Sequence, residues 1–325
     1  MRHAAPHEGR GAGPVASRRA SAAPDLPVLI RETVEPRWPS FRLSQPSLDG
    51  LTRRRGNGYV RLLHVDGAPV VVAASDTTFA ARASTETAAR EGIARMRFAS
   101  GIDDDLAEFH ARFRDDPLLG RAIRARPWLR VRRNPDPFVS LAWAVTEQLI
   151  EVVRANAIQR RLIAAHGPRY GTLRDAPDAA AIAALAPAEI DACGLAPKRT
   201  LALRRAAREV AAGRVTLRGS AGDFQRLLAI PEIGTWTIEM LALNGLGRLD
   251  VVPAGDLGYL KLIGRLTTGN PRAIADEDEV RGFFSAYAPY AGMAALYLSG
   301  SARTLPAPRP GGTRWSAEAT PRAAA

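Results

Sequence analysis

Ile230-Pro231-Glu232-Ile233-Gly234-Thr235-Trp236-Thr237 is a tight apolar turn between two helical patterns, and Val252-Pro253-Ala254-Gly255-Asp256 follows one helix later. Upstream, Ser220 and Asp223 read as a capping box that opens a short helix through Phe224, Leu227 and Leu228, and Pro231 stops it. Downstream, Thr235 is expected to cap a helix with Trp236, Met240 and Leu243 on one face, ending at Asn244-Gly245. The first amides of that second helix lack intrahelical partners and lie at the positive end of its dipole, so they suit an anion such as a phosphate. Gly234 would let the anion approach the backbone. An ordinary helix-helix connection containing Pro and Gly has the same composition.

Asp256 has two readings. It precedes Leu257, Leu260 and Ile263 at helical spacing, which is the place of an N-cap, a role worth about 1 kcal/mol. It also stands one helix after the turn, where a carboxylate can act on whatever the turn holds. Upstream, Phe138, Leu141, Val145, Leu149 and Val152 recur as one apolar stripe, and alanine-rich helices are expected over 178–187 and 199–212. Near residue 105 the pattern changes. Before it, Val28-Leu29-Ile30, Tyr59 to Val65, an Asp66-Gly67 turn and Val70-Val71-Val72 read as strands, and Ser84 to Arg95 as a helix.

The formal charge is +12, but residues 1–24 and 303–325 each carry +3, so the remainder holds a modest surplus of about +6. Both tails are rich in Ala, Gly, Pro and Arg with no apolar periodicity and are expected to be unfolded. There is no signal-peptide pattern and no run of about 18 apolar residues, which predicts a cytoplasmic, nucleoid-associated protein with no membrane partner. The single cysteine, Cys193, excludes an internal disulfide and a four-cysteine iron-sulfur cluster. His3, His7, His64, His110 and His166 build no metal-ligand pattern, so no cofactor and no side-chain metal site are expected.

Four segments occur in order: Asn134-Pro135-Asp136-Pro137-Phe138 leading to Glu147-Gln148-Leu149, Gly194-Leu195-Ala196-Pro197-Lys198-Arg199, the hairpin, and Pro253-Ala254-Gly255-Asp256-Leu257-Gly258. On these the chain resembles the helix-hairpin-helix DNA glycosylase superfamily, and within it the alkylbase glycosylases, over roughly residues 25–302. The resemblance implies an α+β fold: a small mixed α/β domain over 25–110, then a helical two-lobed domain over 111–302. It implies a monomer whose partner is double-stranded DNA containing damaged bases.

By the same resemblance Asp256 falls on the catalytic aspartate. Cleaving an N-glycosidic bond leaves positive charge on C1′ and the ring oxygen, which a fixed carboxylate stabilises while orienting water. A purine alkylated at N3 or N7 is already cationic and leaves without a general acid. Where strand-cutting relatives carry a lysine that forms a Schiff base, this chain has Trp236, and its two lysines are Lys198 and Lys261. A glycosylase without lyase activity is therefore expected. Trp236 would stack on the extruded base, with Met240 and Tyr290 as further walls of the base pocket, although Trp236 and Tyr290 also read as ordinary filling of apolar helices. Ile233, Gly234, Thr235, Trp236 and Thr237 would meet the DNA backbone. Leu149 falls where the family inserts an apolar wedge into the duplex, and equally on the core stripe. The family's hairpin often holds a monovalent cation by backbone carbonyls, here those near Leu228, Ile230 and Ile233.

The chain departs from the pattern in three places. Glu232 replaces the first hairpin glycine, Met240 replaces an aromatic, and Glu147 stands where a small or amide residue is usual. Two other readings therefore stay open: the same build acting on hypoxanthine, uracil or an oxidised purine, and a DNA-binding relative that has lost catalysis.

Overall fold

Strong β-formers in Gly58–Val65 and Ala68–Ala74 fold back on each other through Asp66 (φ 49°) and Gly67 (φ 77°), the two left-handed residues of a tight hairpin. The computed structural model describes residues 25–299 except Pro39 and Gln45, so the two tails, with His3 and His7, lie outside the described residues. Five antiparallel strands, β1 (Val28–Thr33), β2 (Thr52–Arg55), β3 (Gly58–Val65), β4 (Ala68–Ala74) and β5 (Thr78–Ala83), form one sheet in the order β1-β5-β4-β3-β2. Sequence patterning misses β2, which is Thr-Arg-Arg-Arg, and β5, which is half alanine; both take strand form from their neighbours. Helix α1 (Glu86–Ser100), capped by Thr85, lies across the sheet. A Cβ on Gly92 would stand 2.6 Å from Val70 Cγ1, so glycine there sets how closely helix and sheet meet.

The rest is helical: α2 (Ala107–Phe113), α3 (Gly120–Ala125), α4 (Pro137–Glu147) and α5 (Val152–His166), then a two-strand ribbon of β6 (Arg169–Tyr170) and β7 (Leu173–Arg174). After it come α6 (Ala179–Ala184), α7 (Pro187–Asp191), α8 (Pro197–Ala211), α9 (Ala221–Leu228), α10 (Thr235–Leu246), α11 (Leu257–Thr268), α12 (Glu277–Ser285) and α13 (Ala291–Ser299). The fold class is α+β. Two apolar cores define two helical lobes, one around Leu141, Val145, Ile158 and Leu203, the other around Phe109, Ile263, Phe284 and Tyr297. Helix α10 spans them, with Leu241 in the first core and Leu243 in the second.

The sheet is locked to the first lobe. Leu51, ahead of β2, is 1% exposed inside the helical core, Asp49 Oδ2 accepts the Trp143 indole N–H of α4 at 2.9 Å, and His64 Nδ1 meets Asp175 Oδ2 at 3.0 Å.

Four local expectations change. Phe138, Leu141 and Val145 are buried, but α4 stops at Glu147, so Leu149 is 101% exposed and Val152 65% exposed, and the expected core stripe ends at Val145. The N-cap of α10 is Gly234, one residue before Thr235. Its left-handed terminator is Gly247 (φ 71°), because Gly245 lies inside the helix and faces α4, where a Cβ would meet Ser140 Cβ at 3.0 Å. Ser220 does cap α9 through the Asp223 N–H at 3.0 Å, but the Asp223 carboxylate turns to Thr216, accepting its N–H at 2.9 Å and its hydroxyl at 2.8 Å.

Candidate active site and nucleic-acid interface

Asp256 opens α11 as its N-cap, with Oδ1 accepting the Gly258 N–H at 2.7 Å; among the described residues Oδ2 has no hydrogen bond. A Cβ on Gly258 would lie 2.9 Å from Oδ1, so glycine keeps that side of the carboxylate clear. The half-buried carboxylate borders a groove of about 420 Å³ whose walls include Val131, Arg132, Met240, Leu243, Asn244 and Tyr259. The walls are mostly apolar, and Arg132 and Asp256 are the charged residues among them. Burial and the Asp256 charge push the Tyr259 phenol up to about 12, so it stays a neutral hydrogen-bonding group at working pH.

The loop carrying Asp256 is held from beneath. Glu239 Oε2 accepts the Ala254 N–H at 3.1 Å, Oε1 accepts from Arg281 Nη2 at 2.9 Å, and Arg281 Nη2 also reaches Glu277 Oε2 at 2.8 Å. Burial raises the Glu239 carboxyl above the ordinary range, and the Arg281 hydrogen bond opposes it. Sequence reasoning passed over Glu239. The available signal was its isolation, since it is the one charged residue in α10, Thr-Trp-Thr-Ile-Glu-Met-Leu-Ala-Leu-Asn-Gly-Leu, and a lone charge on an apolar helix needs a partner.

The hairpin lies at the other end of α10, about 8 Å along the axis from Met240. Thr237 and Ile238 donate to Gly234 O at 3.0 and 3.3 Å, so the amides of Gly234, Thr235 and Trp236 precede the first intrahelical bonds. Gly234 has φ −103° and ψ −179°, a conformation any residue adopts, and a Cβ there would meet nothing within 4 Å. The fold does not require glycine at this point; the bare backbone faces outward. Glu232 sits at φ 71°, a left-handed conformation natural to glycine, at a cost of about 1–2 kcal/mol. Ile233 and Thr237 are buried and Thr235 is exposed. Of the hairpin carbonyls tied by resemblance to a monovalent cation, Ile230 O already accepts the Ile233 N–H at 3.0 Å and keeps one lone pair, while Leu228 is the last residue of α9 and Ile233 closes the turn.

The other expected pocket residues separate. Met240 lines the groove, and its sulfur accepts from Asn244 Nδ2 at 3.7 Å. Trp236 is half-buried and off that wall: its Cβ lies 3.6 Å from where a Gly255 Cβ would stand, and its indole Nε1 is buried with no hydrogen-bond partner among the described residues. Tyr290 is likewise away from the groove walls. Its hydroxyl donates to Glu108 Oε2 at 2.9 Å, and its ring meets Phe109 edge-on at 5.5 Å.

Leu149 projects from the α4–α5 turn at φ 53°, a strained conformation for a branched residue. Just before it, Glu147 is half-buried and accepts the Gln159 amide at 3.0 Å. Burial, reinforced by the charges of Asp49 and Asp256, holds its carboxyl above the usual range. The charge of Asp256 is therefore felt at Glu147 across the site.

Residues 142–286 match the family model described as HhH-GPD superfamily base excision DNA repair protein. This segment, somewhat under half of the chain, is similar to the HhH-GPD superfamily. It is 31% identical over 174 residues to a Mycobacterium tuberculosis protein named probable bifunctional transcriptional activator/DNA repair enzyme AlkA, covering 51% of this chain and 34% of that one. It is 27% identical over 188 residues to a Bacillus subtilis DNA-3-methyladenine glycosylase, covering 54% and 61% respectively. The chain thus spans about a third and about three fifths of the curated relatives it matches. A solved 3-methyladenine DNA-glycosylase from Archaeoglobus fulgidus has a similar fold, at TM-score 0.70 and 21% identity, over 85% of this chain and 99% of that one. Among the described residues no helix is long and apolar enough to cross a membrane.

Proposed function

We propose that this chain is a DNA glycosylase without lyase activity that hydrolyses the N-glycosidic bond of alkylated purines, of the 3-methyladenine and 7-methylguanine type, in duplex DNA. The observation that carries the reading is the free Asp256 carboxylate oxygen at the edge of a base-sized groove, joined by helix α10 to a hairpin with an exposed Gly234 and amides that precede the first intrahelical bonds. The hairpin amides take a phosphate, Leu149 fills the gap left by the extruded nucleotide, and Asp256 stabilises the charge that develops on C1′ and directs water to it. Trp236 stands in place of a Schiff-base lysine. The names of the two curated relatives support the alkylpurine reading.

A second reading draws on Arg132. A guanidinium on the groove wall disfavours a cationic base and offers donors to a carbonyl, which suits hypoxanthine, uracil or an oxidised purine. Incubation with duplexes bearing 3-methyladenine, 7-methylguanine, hypoxanthine, uracil and 8-oxoguanine, with free base measured, separates the two. Release of the methylated purines, lost in Asp256→Asn with DNA binding retained, supports the first reading. Release of only the neutral bases supports the second, and affinity without release from any duplex leaves a non-catalytic binder. A covalent adduct trapped by borohydride would overturn the absence of lyase chemistry.

A further inference from the structure

Three helices converge on the two residues that precede the exposed Leu149. Gln159 of α5 donates to Thr146 Oγ1 and Glu147 Oε1, both at 3.0 Å. Arg199 of α8 donates through Nη1 to the Gln148 carbonyl at 2.7 Å. The Gln148 side-chain amide reaches the hairpin, donating from Nε2 to Glu232 O at 2.7 Å and to Thr237 Oγ1 at 2.9 Å. Gln148 therefore lies between two left-handed non-glycine residues, following Glu232 in contact and preceding Leu149 in sequence. A fully exposed leucine in a strained conformation gains nothing from packing, so its position rests on the backbone before it, and that backbone is pinned at the carbonyl and the side chain of one residue.

We propose that Gln148 is a positioning residue that, with Arg199, couples the hairpin to Leu149, so that a phosphate seated on the hairpin fixes the depth at which the leucine enters the base stack. This rests on the reading of the chain as an enzyme that extrudes a nucleotide from duplex DNA. Both ends of the coupling belong to the DNA-facing surface, since Glu232 O and Thr237 flank Gly234 while Leu149 is the tip. Replacing the amide by a carboxylate of the same shape removes both donors and sets a negative charge against the Glu232 carbonyl.

The test is a cycle of full-length variants, Gln148→Glu, Gln148→Ala, Leu149→Ala and the double variant Gln148→Ala/Leu149→Ala. Single-turnover excision is measured on one lesion in two settings, paired in a duplex and unpaired in a bulge. The expected result is a loss of about 10- to 100-fold for each Gln148 variant on the paired lesion, the scale of a misplaced positioning group. On the bulged lesion the loss stays within about threefold, and the double variant is no slower than Leu149→Ala alone. Equal losses in both settings, or losses that multiply in the double variant, overturn the coupling and leave Gln148 a packing residue.

A second readout needs no glycosylase activity. In a duplex with a stable abasic-site analogue beside 2-aminopurine, the wild type raises the fluorescence by unstacking the probe, and Gln148→Ala raises it far less. An equal rise in both proteins overturns the proposal even where no base is released, whereas absence of base release with an intact fluorescence difference overturns only the enzymatic reading. Should Gln148→Ala fold poorly by circular dichroism, Gln148→Glu and Arg199→Ala carry the same comparison.

Discussion

Glu239 accepts the backbone N–H of Ala254 at 3.1 Å, two residues before Asp256, and so ties the loop carrying Asp256 to the helix that begins at the hairpin. Replacing Glu239 by alanine leaves that N–H and the Arg281 guanidinium short of a partner. With Arg281 partly exposed, the expected destabilisation is about 1–2 kcal/mol in urea unfolding. Glu239→Gln keeps an oxygen for Ala254 and should recover part of the loss. Excision by the alanine variant should fall by more than its unfolded fraction explains; a rate that merely follows stability would show that the loop needs no such tether.

Asp256 both caps α11 and borders the groove, and two substitutions separate these tasks. Asparagine caps as well as aspartate, so Asp256→Asn should leave the unfolding midpoint within a few tenths of a kcal/mol, whereas Asp256→Ala should lose about 1 kcal/mol. Base release should collapse in both. An active asparagine variant would assign the residue to the helix alone.

Glu232 brings a negative, left-handed side chain to a turn expected to meet phosphate. Glu232→Gln should tighten binding to duplex DNA at low salt, with the gain fading as ionic strength rises. Glu232→Gly adds relief of about 1–2 kcal/mol of backbone strain but gives back much of it in unfolded-chain entropy, so its stability should change by less than about 1 kcal/mol. Unchanged affinity for the glutamine variant across a salt series would remove Glu232 from the interface.

Glu147 titrates upward because burial disfavours its charged form. The sign follows: its contribution to stability is fully present below the ordinary glutamate value of about 4.3 and is lost as pH rises through the higher folded value. Glu147→Gln retains an oxygen for Gln159 and removes that dependence. The variant should therefore gain on the wild type as pH climbs from about 4 toward neutrality, read as diverging urea midpoints. Parallel midpoints over that range would mean that the carboxyl titrates normally.

The α+β class, the β3–β4 hairpin and the α9–α10 junction were legible because the turn residues were explicit: Asp66-Gly67 for the hairpin and Pro231 for the helix junction. Periodicity failed at Leu149, where α4 ends after Glu147 and the next apolar residues fall on a new helix with a different phase. A stripe read across such a break assigns to the core a side chain that the chain presents outward. Gln148 and Glu239 were illegible in another way. Each acts through a backbone group more than ten residues away, and neither Glu232 O nor the Ala254 N–H carries a sequence signature. Arg132 carries no signature of its own in the sequence, and only the packing of α10 and α11 puts it on the groove wall.

Leu51 has a consequence for anyone who would shorten the protein. The family match begins at residue 142, which invites the view that the amino-terminal sheet is a detachable accessory. Severing it would extract a leucine from the helical interior and strand the Trp143 indole N–H, opening a hole against the helix whose far end presents Leu149. The smallest version able to fold as this one does is thus larger than the homologous segment suggests, and the sheet serves as the buttress behind the exposed Leu149.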